Sequence, residues 1–257
     1  MEDIIKKYYP DFDWIKYKDM NPFLFFYNLK TKEEYMNNFI KEGRYLGRKY
    51  KEEHNTNCSI HVLMATIGKD SIFNILENLK NELNTNDYLT IVFDESKNNY
   101  ENVKNYVKSI KANVKLIVEE ENLGYWGHGI RNKHNILEGD FVYHIDDDDE
   151  IIEGSFNFVR KILKDKDTMY IFKIISEINE VIWKSPEIKL NQISTQSGFI
   201  PTSINSKSEW LYKYGGDFDF YKKLEKYINN NNKKIIFIDK IIYKKRIKIE
   251  KLNRKNK

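Results

Sequence analysis

Between residues 59 and 145 short apolar runs alternate with longer stretches of helical spacing. The runs at 59–65 (SIHVLMA), 88–93 (YLTIVF), 114–118 and 141–145 (FVYHI) have strand length, so each is predicted as a strand. Ile72, Phe73, Ile75, Leu76, Leu79 and Leu83 recur at three- and four-residue intervals, which predicts a helix over 70–83. Helices are also predicted over 100–110 and 129–137. This alternation calls for right-handed crossovers and a mostly parallel α/β sheet flanked by helices. Ligands bind such sheets beyond the carboxyl ends of the strands, where Gly68, Asp94 and Asp146 fall.

The flanks follow other patterns. Residues 1–50 predict short helices: Phe12, Trp14, Ile15 and Tyr17 form an aromatic cluster, and Asn21-Pro22 breaks the chain or starts a new helix. Thr31 followed by Glu34 makes a capping box, and Tyr35, Phe39 and Ile40 give an apolar stripe ending near Gly43. A polar linker is expected over 51–58. After the fourth strand, 170–175 and 181–183 are strand candidates, 198–203 is a Gly/Pro-containing segment, and 217–229 is a predicted helix ending in the Asn turn 229–232. Late strands are expected at 235–238 and 241–243, and 248–257 is a basic tail.

Composition narrows the class. An apolar fraction of 40% with 14% aromatics supports a buried core. A formal charge of +4 is too balanced to argue for nucleic-acid binding. Cys58 is the single cysteine, so no intrachain disulfide can form, and its place at the edge of an apolar run suggests a structural part. The charged start lacks a signal-peptide core, and no stretch reaches the ~18 apolar residues of a membrane span. The expectation is a cytoplasmic protein, peripheral to a membrane at most. Frequent Lys, Asn and Ile with scarce Pro and Gly is what an AT-rich genome would encode, microbial or of a large DNA virus.

The chemistry concentrates at Asp146, Asp147, Asp148 and Asp149. Four adjacent carboxylates repel unless they are solvated or share a cation. Here a buried strand would deliver them to the sheet edge, where Mg2+ or Mn2+ could bind carboxylate oxygens and leave positions open for phosphate.

The segment EGDFVYHIDDDDE at 138–150 resembles the strand and Asp-x-Asp-Asp motif of family 2 glycosyltransferases of the GT-A fold. By that resemblance Asp146, Asp148 and Asp149 would serve the metal, with Asp147 in the variable position. VLMATIGKD at 62–70 is similar to the nucleotide loop, with Thr66 and Gly68 lining the nucleoside pocket. TIVFDES at 90–96 would place Asp94 on the base. ENLGYWGHGIRN at 121–132 resembles the Asn-x-Gly…Arg-Asn segment, though longer, and brings in Trp126, His128 and Arg131. YGGDFDFYKKL at 214–224 resembles the Glu-Asp motif with Gly216 in place of Glu; Asp217 would be the catalytic carboxylate, or its neighbour Asp219. IIYKKR at 241–246 resembles the late Tyr-Arg segment and offers Arg246.

The resemblance covers 59–247 and implies transfer of a sugar from a nucleotide-diphosphate donor, with a UDP-sugar favoured. The acceptor would be a glycan, a protein or a lipid-linked hydroxyl, and the transfer would invert the anomeric centre. Asp217 would act as base, and Arg131 or Arg246 would offset leaving-group charge. Trp126 would stack on a sugar or base, His128 would contact phosphate or metal, and Trp183, Trp210 and Tyr212 would flank the acceptor side. The N-terminal DWIKYKDMNPFLFF and YMNNFIKEGRYLGRKY segments resemble a helical module that precedes glycosyltransferase domains in some microbial and large-virus proteins. Two other readings stand beside this one. A degenerate GT-A domain would bind nucleotide or glycan without turnover, and a nucleotidyltransferase is disfavoured because ATIGKD has one Gly and one Lys.

Overall fold

A computed structural model describes residues 2–9, 12–21, 24, 27–43 and 58–246. Pro22, the tail at 248–257 and all of the expected 51–58 linker except Cys58 lie outside them. The chain separates into two compact units, residues 1–55 and 56–257.

The first unit carries three short helices, α1 (Glu2–Tyr8), α2 (Trp14–Met20) and α3 (Lys32–Asn38), the last running into one wider π turn, Phe39–Gly43. Asp13 caps α2 by accepting from the amides of Ile15 and Lys16. The Thr31–Glu34 capping box is present, each side chain accepting from the other residue's amide. Tyr17, Leu24, Tyr35 and Phe39 form the small core, with Phe12 and Trp14 against it. Ile15, expected in that cluster, is exposed instead, because it follows Trp14 by one position and a one-residue step turns a helical side chain onto another face.

The second unit is built on one nine-stranded sheet. Its first half follows the predicted rhythm: β1 (Ile60–Thr66), α4 (Ile72–Glu82), β2 (Tyr88–Phe93), α5 (Tyr100–Tyr106), β3 (Asn113–Val118), α6 (His128–Lys133) and β4 (Phe141–Asp146). These strands lie in the order β3-β2-β1-β4, all parallel. Alternate residues go to opposite faces. Ile60, Val62 and Met64 of β1 pack under α4 and α5, whereas Leu63, with Val92 of β2, meets Ile130 of α6. With both faces covered the strands read as continuous apolar runs.

The second half departs from expectation in several places. A two-residue strand β5 (Glu150–Ile151) and a helix α7 (Ser155–Ile162) follow the acidic turn. Then come β6 (Thr168–Ile175), β7 (Val181–Ile182), β8 (Gly198–Pro201), the single turn α8 (Thr202–Asn205), α9 (Gly216–Asn230) and β9 (Lys234–Lys244). The segment at 198–203 is thus largely a strand, wedged between β4 and β6 and antiparallel to both. The two late strand candidates are one strand, β9, parallel to β6 with register breaks beside Lys173. Breaks of this kind interrupt the apolar alternation, which is why the sequence reads as two pieces. The helix expected over 129–137 stops at Lys133, where His134 turns out of helical geometry and bonds Glu119 at 2.6 Å. Met169 and Ile171 pack with Phe220, Leu224 and Ile228 of α9 on the face that also carries α6.

Two core histidines give the fold a pH dependence. His61 Nδ1 accepts from the Glu138 amide (3.0 Å), so Nε2 carries the proton and donates to Thr90 Oγ1 (2.8 Å). Burial pushes its pKa down to about 4, and that of His144 to about 3. Below the ordinary value of 6.5 the unfolded chain takes up protons that the folded chain refuses. Their stabilising contribution is therefore complete above pH 6.5 and is lost as pH falls, at up to about 1.4 kcal/mol per pH unit for each histidine. Urea unfolding at pH 7 and pH 4.5 should show the wild type losing on the order of 1–2 kcal/mol more than His61→Asn, which keeps an acceptor near the Nδ1 position. Equal losses in the two proteins would remove His61 from this account.

Candidate active site

The parallel half of the sheet ends in polar groups. Asp146 is the last residue of β4 and pairs in register with Ala65 of β1. The chain then turns sharply through Asp147 and Asp148 into Asp149. Asp146, Asp147 and Asp149 are each hydrogen-bonded, and Gln196 is shared by the first and the last. Asp146 Oδ1 accepts from Arg131 Nη2 (2.6 Å) and its Oδ2 from the Gln196 amide (2.5 Å). Asp147 accepts from Thr66 Oγ1 (2.5 Å), which itself accepts from the Gly68 amide (2.8 Å). Asp149 accepts from the Arg246 amide (3.1 Å) and from Gln196 (3.3 Å). Asp148 stands half-exposed on the turn.

Their electrostatics differ accordingly. Burial acts to raise the Asp146 carboxyl, but Arg131, Lys245 and the Gln196 amide together hold it below the usual range. Burial, and then the Asp146 charge, push Asp149 up to about 7. Burial also raises Asp147, against the pull of the Thr66 hydroxyl. Among the described residues no three His, Cys, Asp or Glu side chains gather closely enough for an all-protein metal cage. An ion here would therefore complete its shell with ligand phosphate oxygens and water, which is how Mg2+ is commonly held. Asp146 and Asp149, joined through Gln196, offer carboxylate oxygens of the hard kind that Mg2+ and Mn2+ prefer.

Arg131 is the largest fully buried side chain of the unit. Beyond Asp146, its guanidinium donates to the carbonyls of Trp126 (2.8 Å) and Ile145 (3.0 Å) and lies over the Trp210 ring (5.3 Å). The expected contact with a diphosphate is not available to a side chain with no exposed surface; Arg131 instead fixes Asp146. Asp94 is buried, and both its oxygens accept backbone amides, Leu123 (2.6 Å) and Gly124 (3.0 Å). It thereby ties the 121–132 segment to the end of β2. Gly68 has φ +73°, and a Cβ there would lie 1.9 Å from the Asn98 carbonyl, so this turn requires glycine.

Asp217 sits in the first turn of α9, where burial raises its carboxyl against the Phe218 amide, Lys245 and His128. Asp219, two residues on, is turned away into an ion pair with Lys213 (2.7 Å). His128 Nδ1 donates to the Leu211 carbonyl (2.8 Å), and burial lowers its pKa. The ring lies directly on Gly216: a Cβ there would be 2.7 Å from His128 Cε1 and 2.3 Å from the Leu211 carbonyl. Where the resemblance places a Glu, this chain has a neighbouring imidazole. Trp183 and Trp210 are buried, against Phe237 and Phe220 respectively, while Tyr212 is exposed.

Two participants were not legible beforehand. Gln196 is fully buried and bridges Asp146 and Asp149, and nothing in its local sequence marks it. Lys245 is within electrostatic reach of Asp146, Asp149 and Asp217. Its only signal is its place beside Arg246, whose guanidinium donates to the Asn74 side-chain oxygen (3.0 Å).

Solved structures share this fold. S. aureus TarS 1-349 matches with a TM-score of 0.56 and 19% identity over 73% of this chain and 60% of that one. TarS 1-349 in complex with UDP-GlcNAc matches with a TM-score of 0.54 and 19% identity, over 72% of this chain and 58% of that one. The mannosyltransferase PcManGT from Pyrobaculum calidifontis, in complex with GDP-Man and Mn2+, matches with a TM-score of 0.54 and 12% identity, over 82% and 64%. The fold is that of GT-A glycosyltransferases. No protein-family model and no curated protein sequence matches the chain. It spans about 60% of the length of TarS 1-349. Among the described residues of this GT-A fold no helix is long and apolar enough to cross a membrane.

Proposed function

We propose that the chain is a metal-dependent glycosyltransferase that moves a sugar from a nucleotide-diphosphate donor, with a UDP-sugar favoured, to an acceptor hydroxyl. Residues 59–247 form the catalytic domain in this reading, and residues 1–50 a separate helical module. The observation that carries it is the acidic turn after β4 at the carboxyl end of the parallel strands of a GT-A sheet, with Asp217 at the start of α9 close enough to feel the Asp146 charge.

Asp148 and Asp146, with Asp149 beside them, would hold Mn2+ or Mg2+, which when bound supplies positive charge against the donor diphosphate. Thr66, Gly68 and Asp147 line the nucleoside side, and Asp94 shapes it by holding the 123–124 backbone. Asp217 accepts the proton of the acceptor hydroxyl. As its oxygen bonds to the anomeric carbon from one side, the bond to the diphosphate breaks on the other, and the anomeric centre inverts. Lys245, within electrostatic reach of the acidic turn, would offset charge on the departing nucleoside diphosphate, with Arg246 beside it. Gly216, in the place of a Glu, favours a second reading in which the domain binds nucleotide or glycan without turnover.

Thermal unfolding with UDP, GDP and dTDP, each with and without Mn2+, tests the donor. At a concentration 100 times Kd, a ligand of the folded state stabilises by about 2.7 kcal/mol. The expected result is a rise that needs both UDP and metal and disappears in Asp148→Asn. No rise with any nucleotide in folded protein would count against the transferase. A rise without UDP-sugar turnover would favour the binding domain.

A further inference from the structure

Beside Asp217 the surface carries an unusual set of aromatic side chains. Tyr125, Trp126, Tyr212 and Tyr214 are 53%, 68%, 52% and 82% exposed. Large aromatics usually bury their faces, and here Tyr125 and Trp126 of one loop stand in solvent with Tyr212 of a sequence-distant one, with exposed Tyr214 two residues further along that second loop. Tyr125 stacks on Tyr212 with ring centroids 4.8 Å apart and planes within 15°. Trp126 meets His128 edge-on at 6.2 Å, and His128 lies against Gly216, the residue before Asp217.

The two loops are held rigidly. Asn132 and Trp210 exchange reciprocal side-chain–backbone hydrogen bonds at 2.7 and 2.8 Å, and His128 donates to Leu211. Trp210 lies beneath, buried between His128, Phe220 and the Arg131 guanidinium. Tyr125 and Trp126 have φ of +54° and +55°, a backbone region that bulky residues rarely adopt. The surrounding bonds therefore impose a conformation that projects both rings outward, and such strain concentrates at ligand-binding positions.

We infer that this face is a carbohydrate platform that seats a neutral sugar ring of the acceptor beside Asp217; its acceptor role rests on the transferase reading. A pyranose ring presents a face of C–H bonds to an aromatic ring and a rim of hydroxyls to polar groups. Both are available here. With Nδ1–H committed to Leu211, His128 Nε2 carries a lone pair and has no hydrogen-bond partner among the described residues; the residue keeps 5% exposure at the foot of the platform, where it can accept from a sugar hydroxyl. Charge favours a neutral ring over an anionic acceptor: Lys213 is paired with Asp219 and Arg131 with Asp146, and Lys245, which also reaches Asp217, is shared with Asp146 and Asp149.

The test titrates the full chain with cellotriose, chitotriose, maltotriose and mannotriose, followed by tryptophan fluorescence and saturation-transfer NMR. At least one should bind with a Kd of about 1 mM, and Trp126→Ala should weaken it about tenfold, with Trp126→Phe recovering most of the loss. Tyr214→Ala, at a position exposed enough to leave folding intact, should weaken it as well. Absence of binding by all four sugars, or binding unchanged in both alanine variants, overturns the platform. So does a dimer that dissociates in Trp126→Ala, since a second copy would then be the occupant. Stabilisation by UDP and Mn2+ without sugar binding sinks the platform alone; sugar binding without nucleotide stabilisation upholds the platform and sinks the transferase reading.

Discussion

Asp217→Asn should lower the rate of sugar transfer by about 10²- to 10⁴-fold, the contribution of a positioned general base. The amide keeps the shape of the side chain and can still accept from the Phe218 amide, so folding and nucleotide binding should persist. Burial raises the Asp217 carboxyl above the ordinary carboxylate range, which makes it a better proton acceptor than an exposed Asp. The same shift fixes the pH response: kcat/KM should fall with acid as the Asp217 carboxyl protonates, and Asp217→Asn should lose that limb. Asp219→Asn is the control. Its carboxylate is engaged by Lys213, so its rate should fall far less. A larger loss at Asp219 than at Asp217 would exchange their assignments.

Arg131→Met should destabilise the protein by about 3 kcal/mol, because removing one member of a buried ion pair strands the other. The Asp146 side chain retains 31% exposure, which places the cost at the low end of the usual range for such pairs. Two further carbonyls, those of Trp126 and Ile145, lose their donor. Met fills much of the volume, so the effect reports polar loss more than a cavity. Urea unfolding of Arg131→Met, Asp146→Asn and the double variant would give the coupling directly. Additive effects would mean that the Arg131–Asp146 contact contributes nothing of its own. Because Arg131 fixes Asp146, the single variant should also weaken the Mn2+ dependence of nucleotide binding.

The sequence by itself determined the parallel half of the sheet. Strands β1 to β4 and helix α4 are written as local periodicities, and each formed within a few residues of its expected limits. It also determined that a run of carboxylates would stand at the end of β4, since a buried strand followed by four Asp has no other arrangement. The capping box at Thr31 was legible for the same reason, being set by residues three apart. Helix α7 was not among the expected elements, although Phe156, Val159 and Ile162 have helical spacing.

Tertiary structure alone decided the rest. Gln196 reaches Asp146 across 50 residues, and the Arg246 amide reaches Asp149 across 97. No local pattern records such pairings, because they depend on β8 and β9 inserting into the sheet far from their place in the chain. The inward turn of Arg131, the seat of His128 on Gly216 and the exposure of Trp126 follow from how the 121–132 and 210–217 segments lock together. Residue type can advertise chemistry; whether a charge is buried against its neighbour or offered to a ligand depends on packing between distant segments.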